Sequence, residues 1–165
     1  MGELVELWGA DGRPTGEVVD RATMRRHNLR HAATGIVVLN PPGEIYVHRR
    51  TATKDVYPGM YDFCAGGVVQ AGEHPVESAR RELAEELGVV VAQLDPLGEA
   101  DFEDAHARYH AFLFSVTYEG EIVHQPDEVE WGAWVTPGRL LEMLDEFAFV
   151  PDAPTLLRPW LEARA

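Results

Sequence analysis

Short apolar runs broken by Gly, Pro and Asp set the rhythm of the chain. Leu4 to Trp8 and Glu17 to Asp20 flank Ala-Asp-Gly-Arg-Pro, which fits two short strands around an Asp-Gly turn. Arg21 to His27 reads as a short helix. His31 to Leu39 is rich in β-branched and apolar residues, Asn-Pro-Pro-Gly turns the chain, and Ile45 to Arg50 returns. This pair reads as a hairpin in a core sheet. Thr51 to Met60 is polar, carries Pro58-Gly59, and reads as a loop. Tyr61 to Val69 contains Gly66-Gly67, a place where backbone can come close to another group.

The strongest helical signal runs from Pro75 to Leu87. Pro75 suits a first helical turn, and Gly88 suits the position just past the last one. Val76, Ala79, Leu83 and Leu87 recur at helical spacing on one face, which predicts packing on a sheet. Further strands are expected near Phe102, from Tyr109 to Tyr118 and from Trp131 to Val135. Thr136-Pro137 opens a helix through about Leu144, and a last helix runs from Pro154 to Glu162. Strands, one central helix, more strands and closing helices predict a mixed α/β sandwich.

Composition narrows the function classes. The 165 residues suit one ordinary domain, 45% are hydrophobic and 25% charged, and disorder is not expected. Residues 1–30 are expected to form an N-terminal hairpin and short helix, and residues 31–165 the core. No apolar window approaches a membrane span, and the first residues lack a basic start and apolar run, so a cytoplasmic protein is expected. The single cysteine, Cys64, forms no intrachain disulfide. With 28 acidic against 14 basic residues, the net charge is −14, which argues against a nucleic-acid partner. Such a chain can still process a small phosphorylated substrate if bound cations reverse the local field.

Glu82, Glu85 and Glu86 stand at i, i+3 and i+4 on the central helix, with Cβ atoms roughly 5–6 Å apart, beside the apolar stripe. Acidic runs on helices are usually solvated faces. At a partly enclosed edge, however, two carboxylates about 6 Å apart repel by about 3 kcal/mol at an effective dielectric near 20. Oxygen-ligated cations such as Mg²⁺ or Mn²⁺ relieve that repulsion.

The surrounding spacing resembles the Nudix box: Gly67, Glu73, Arg81-Glu82, apolar Leu83, Glu85-Glu86, Gly88 and apolar Val89 occupy every defined position. Seven fixed positions match by chance on the order of 10⁻⁸ per start at average residue usage. The resemblance implies a Nudix α/β/α sandwich, class α/β (α+β), with a mixed sheet and the box helix packed on it. It implies Glu82, Glu85 and Glu86 as ligands of Mg²⁺ or Mn²⁺, with help from the Gly66 carbonyl, and Arg81 with Glu73 as the pair that steadies the loop and orients Glu82. The activity implied is hydrolysis of a diphosphate linkage in a nucleoside diphosphate derivative or a nucleoside di- or triphosphate. Metal ions lower the pKa of a bound water, and either Glu82 or Glu128 takes its proton. A homodimer through the N-terminal strands is a further implication of the family.

Flanking segments resemble the branch related to isopentenyl diphosphate isomerase: Arg30-His31, Arg49-Arg50 with Lys54 and Pro58-Gly59, and Asp127-Glu128-Val129 before Trp134. Arg49, Arg50, Lys54 and His31 are the candidates for contact with substrate. An isomerase-like enzyme is one alternative, but Gly66 stands where that enzyme has its catalytic cysteine, and Cys64 comes two residues early. Ala107 and Tyr109 stand where it has its acidic pair. A non-catalytic nucleotide-sensing module is another alternative, opposed by the intact glutamates.

Overall fold

The computed structural model describes residues 2–165. In chain order, β1 (Leu4–Trp8) and β2 (Pro14–Asp20) form an antiparallel hairpin, and α1 (Arg21–Arg26) follows. Asp20 caps α1 by accepting from the Thr23 amide at 2.7 Å, which satisfies one of the free N–H groups at the helix start. Then come β3 (His31–Leu39), β4 (Ile45–Arg50), β5 (Tyr61–Asp62), α2 (Pro75–Leu87), β6 (Asp95–Glu103), β7 (Arg108–Thr117), β8 (Val129–Val135), α3 (Pro137–Glu146) and α4 (Asp152–Glu162). The main sheet has the order β5-β4-β3-β7-β6, with β8 also lying along β4. Among the described strand pairs only β3 and β7 run parallel, in register from His31↔Tyr109 to Leu39↔Thr117, so the sheet is mixed as expected.

The central strand β3 is buried on both faces, as helices on both sides require. Ile36 and Val38 point to the α2 side, where Ala79, Leu83 and Leu87 pack with Phe114 and Val116. Ala33, Val37 and Leu39 point the other way, toward Leu140 and Met143 of α3 and Leu157 and Leu161 of α4. Alternation along one strand thus assigns each helix to its layer. Proline starts α2, and Gly88 ends it in the left-handed conformation at φ 66°. Val5, Met24 and Val68 join the N-terminal unit to the sheet.

Three elements differ from expectation. The β3–β4 hairpin is in register only at Leu39↔Ile45. Beyond that point Ala65 to Val69 takes the edge of β3, with Ile36 N–H donating to Ala65 O at 2.7 Å and Thr34 N–H to Gly67 O at 2.9 Å. The displaced β4 pairs with β8 instead. β6 is much longer than the expected strand near Phe102. It is an edge strand with exposed Glu99, Asp101 and Glu103 and an irregularity at Pro96/Gly98, so its apolar alternation is faint. α4 begins at Asp152, two residues before Pro154.

Leu83 is fully buried between α2 and the sheet. Leu83→Ala is expected to lower unfolding free energy by about 2–5 kcal/mol, read from urea denaturation, with no loss of the native far-UV spectrum in the absence of denaturant.

Candidate functional site

A cleft of about 490 Å³ opens between α2, the Ala65–Val69 segment, the 51–60 loop and the start of α4. On its α2 wall, Arg81 holds the carboxylates in place. Its Nε donates to Glu73 Oε2 at 2.7 Å and its Nη2 to Glu73 Oε1 at 3.0 Å, a two-point clamp. Its Nη1 donates to Glu82 Oε1 at 3.0 Å and to Glu85 Oε2 at 3.3 Å. Glu73 also accepts from the Gln70 amide at 3.1 Å, which closes the loop ahead of the helix. Burial pushes the Glu73 carboxyl up, but the Arg81 hydrogen bond, the Gln70 amide and the Arg81 charge together hold it below the usual range.

Glu86 is 5% exposed and accepts from the Gly66 amide at 3.4 Å. Burial first, and then the Glu82 charge, pushes its carboxyl well above the usual range. Burial and the Glu85 charge raise Glu82 as well, against the pull of Arg81. Glu85 is the exposed member, with a side chain 55% accessible. The two glycines make room for this arrangement. A Cβ on Gly66, at φ 146°, would stand 2.0 Å from the Thr34 carbonyl oxygen. A Cβ on Gly67 would stand 2.6 Å from Glu82 Oε1.

Residues 29–156 match the NUDIX domain family. The uncharacterised Nudix hydrolase YfcD of Escherichia coli (strain K12) is 46% identical over 145 residues, 88% of this chain and 79% of the relative. This chain belongs to the Nudix hydrolase family. A crystal structure of DR0079 from Deinococcus radiodurans superimposes with a TM-score of 0.79 at 25% identity, covering 95% of this chain and 98% of that one. The NUDIX domain of Shewanella oneidensis NrtR, complexed with ADP ribose, shares the fold at TM-score 0.65 and 15% identity, over 81% of this chain and 88% of its own. Nudix hydrolases generally use divalent metals such as Mg²⁺ or Mn²⁺.

The residues of this Nudix hydrolase fit such an ion chemically. The donors are hard oxygens, and the Glu82 charge bears on the buried Glu86 carboxyl, a repulsion that a cation removes. As placed, among the described residues, no three His, Cys, Asp or Glu side chains converge on one point. Arg81 draws Glu82 and Glu85 to itself while Glu86 turns to the Gly66 amide.

The facing wall carries Lys54, ion-paired with Glu128, and Arg50, whose Nε and Nη2 donate to the Val56 carbonyl at 3.2 and 3.1 Å. Arg49 is not part of this wall. Neighbouring strand residues point to opposite faces, and Arg49 instead meets Glu130 at 3.1 Å and the Tyr61 ring. His31 lines the cleft but is buried. Its Nδ1 donates to the Leu29 carbonyl at 2.9 Å, and burial holds the ring pKa down at about 4, so the imidazole is neutral. Buried His48 is held lower still, at about 3. Cys64 is buried, and burial pushes its thiol up, which suits a packed side chain more than a proton shuttle.

Several cleft residues lay outside the sequence reading. Arg21 and Arg25 of α1 both reach Asp55 Oδ2, at 3.2 and 3.3 Å, and overcome its burial to hold the carboxyl down at about 2. Their i, i+4 spacing marks them as one helical face. Asp62 and Asp152 stand at the floor. The signal for Asp62 was an acid opening the run Phe63-Cys64-Ala65; Asp152 gave none.

Gly66→Ala is expected to cost about 3 kcal/mol or more, because backbone must move, whereas Gly67→Ala meets only the end of a side chain and costs less. Thermal unfolding of the two variants checks the order. The pH dependence of stability has a fixed sign at His31. Its folded pKa of about 4 lies below the ordinary 6.5, so the unfolded chain binds the extra proton. The stability it contributes is complete above pH 6.5 and falls between pH 6.5 and 4 by about 1.4 kcal/mol per unit. His31→Gln is expected to remove that part of the slope in urea midpoints measured across the window.

Proposed function

We propose that this chain hydrolyses the diphosphate linkage of a small phosphorylated substrate, a nucleoside diphosphate derivative or a nucleoside di- or triphosphate, in the presence of Mg²⁺ or Mn²⁺. The observation that carries the reading is the pair of Glu82, held by Arg81 beside Gly67, and buried Glu86, held by the Gly66 amide. Glu82, Glu85, Glu86 and the Gly66 carbonyl hold the ion in this proposal. When bound, a divalent cation neutralises diphosphate charge and acidifies the attacking water.

The chain's own groups supply the rest. Arg81 and Glu73 orient Glu82 and keep the helix start rigid. Arg50, Lys54, Arg21 and Arg25 line the cleft and offer positive charge to phosphate oxygens. Substrate phosphate competes with Asp55 for the two α1 guanidiniums and with Glu128 for Lys54, and the second exchange frees Glu128. Of the two proton acceptors expected, Glu128 is free of the Arg81 hydrogen bond that holds Glu82, and is assigned that role. Glu82 is assigned to the ion.

A screen of nucleoside di- and triphosphates and nucleoside diphosphate derivatives, ADP-ribose included, tests the reading by release of phosphate or monophosphate. Glu82→Gln and Glu128→Gln are each expected to lower kcat by about 10²–10⁴. Chelation of the metal is expected to abolish turnover, and Mn²⁺ or Mg²⁺ to restore it. Equal turnover by wild type and Glu82→Gln would contradict the proposal.

A further inference from the structure

Asp62 and Asp152 line the same cleft as Glu82, and the hydrolytic reading uses neither. Asp62, at the end of β5, is 6% exposed. It takes hydrogen bonds from amides of its own segment, that of Cys64 at 3.0 Å among them, and no side-chain donor among the described residues satisfies it. Asp152 opens α4. Its Oδ1 accepts from the Ala153 amide at 2.7 Å, and its Oδ2 from the Tyr109 hydroxyl. Small side chains, Ala33, Ala111 and Ala153, border this end of the cleft and leave it room. A solvent-removed acid aimed into a cavity and lacking a side-chain partner is costly unless a ligand completes it.

We propose that the floor of the cleft recognises an uncharged amide-type edge, an N–H beside a C=O, on the organic group attached to the diphosphate. Two neighbouring buried carboxyls are stable when they share one proton, and burial together with the Asp152 charge pushes Asp62 well above the usual range. When that proton turns from the neighbouring carboxylate to a ligand, the pair presents one O–H donor and a free acceptor. That set complements an amide edge in both roles, whereas an ammonium group, with donors only, leaves the acid O–H unmatched and an anion is repelled by the carboxylate. Around the pair stand Arg50 from β4, Tyr109 from β7, His31 from β3, Tyr57 from the 51–60 loop and the Cys64 thiol. His31 is neutral above about pH 4, and burial pushes the Tyr109 and Tyr57 hydroxyls and the Cys64 thiol up. A rise in pH therefore acts on the acid pair first. The edge belongs either to a nucleobase ring or to an acyclic amide, and the two share this chemistry.

The inference deepens the hydrolase reading, and its test does not use turnover. Equilibrium binding to the intact chain is measured with Ca²⁺ in place of Mg²⁺. The probes are UDP, IDP, their ring-N-methylated counterparts, dephospho-coenzyme A and inorganic pyrophosphate. At least one amide-bearing probe is expected to bind about tenfold or more tighter than pyrophosphate, the size of one satisfied hydrogen bond. If it is a ring, methylating its N–H removes that advantage; if it is dephospho-coenzyme A, the acyclic source is assigned. Asp62→Leu is expected to reduce the ratio about tenfold. Asp62→Asn, which keeps a donor and an acceptor, retains the ratio and flattens its decline with rising pH. Asp152→Asn does the same, and melting curves verify that each variant folds. Methylated and parent rings bound alike with no preference for dephospho-coenzyme A, no probe tighter than pyrophosphate, or an unchanged ratio in folded Asp62→Leu would each overturn the proposal. Absence of hydrolysis with this binding pattern intact would instead sink the hydrolase reading alone.

Discussion

The close approach of α2 to the Gly66-Gly67 segment governs the rest of the site. With Gly66 at φ 146° beside the Thr34 carbonyl, and Gly67 against the Glu82 carboxylate, the chain packs a helix edge onto bare backbone. That contact brings Glu86 out of solvent and leaves it next to Glu82. Leu83 and Leu87, anchored in the apolar layer under α2, keep the helix from turning its acids outward. The apolar stripe and the acidic ridge are therefore one device. Burial of the first fixes the second at a depth where carboxylate repulsion matters.

Most of the fold followed from period and punctuation. Pro75, the Val76–Leu87 stripe and Gly88 define α2 by local chemistry that tertiary packing reinforces. The β3 and β4 spans were equally visible, because strands buried on both faces read as unbroken apolar runs. Their pairing was not visible. Ala65 to Val69 displaces β4 from β3, a long-range choice made by backbone hydrogen bonds that leave no trace in side-chain pattern. β6 was faint because an exposed charged edge has little alternation to show.

The candidate site divides in the same way. Glu73, Arg81, Glu82, Glu85 and Glu86 lie within fourteen positions, so their spacing carried the assignment. The cleft's far wall is assembled from α1, the 51–60 loop, β5 and the start of α4, separated by long stretches of chain. Arg21, Arg25, Asp62 and Asp152 meet there only through folding. Arg49 and Arg50 illustrate the limit at single-residue scale. They are adjacent in sequence, and the strand pleat sends them to opposite faces. The cleft that results has acids tied to cations at its rim, as in Lys54–Glu128 and Asp55 with Arg21 and Arg25, and at its floor a pair of acids that form no ion pair among the described residues. In an otherwise acidic molecule, that distribution gathers exchangeable positive charge along the cleft proposed to receive the phosphate.

The central claim is that the α2 ridge gathers a divalent ion beside the two glycines. Anomalous scattering from a crystal soaked in Mn²⁺ tests it most directly. The account predicts a manganese peak bounded by Glu82, Glu85, Glu86 and the Gly66 carbonyl, with Arg81 withdrawn from Glu82 toward Glu73. A ridge without manganese, its carboxylates turned to bulk solvent while ions bind elsewhere, would contradict it.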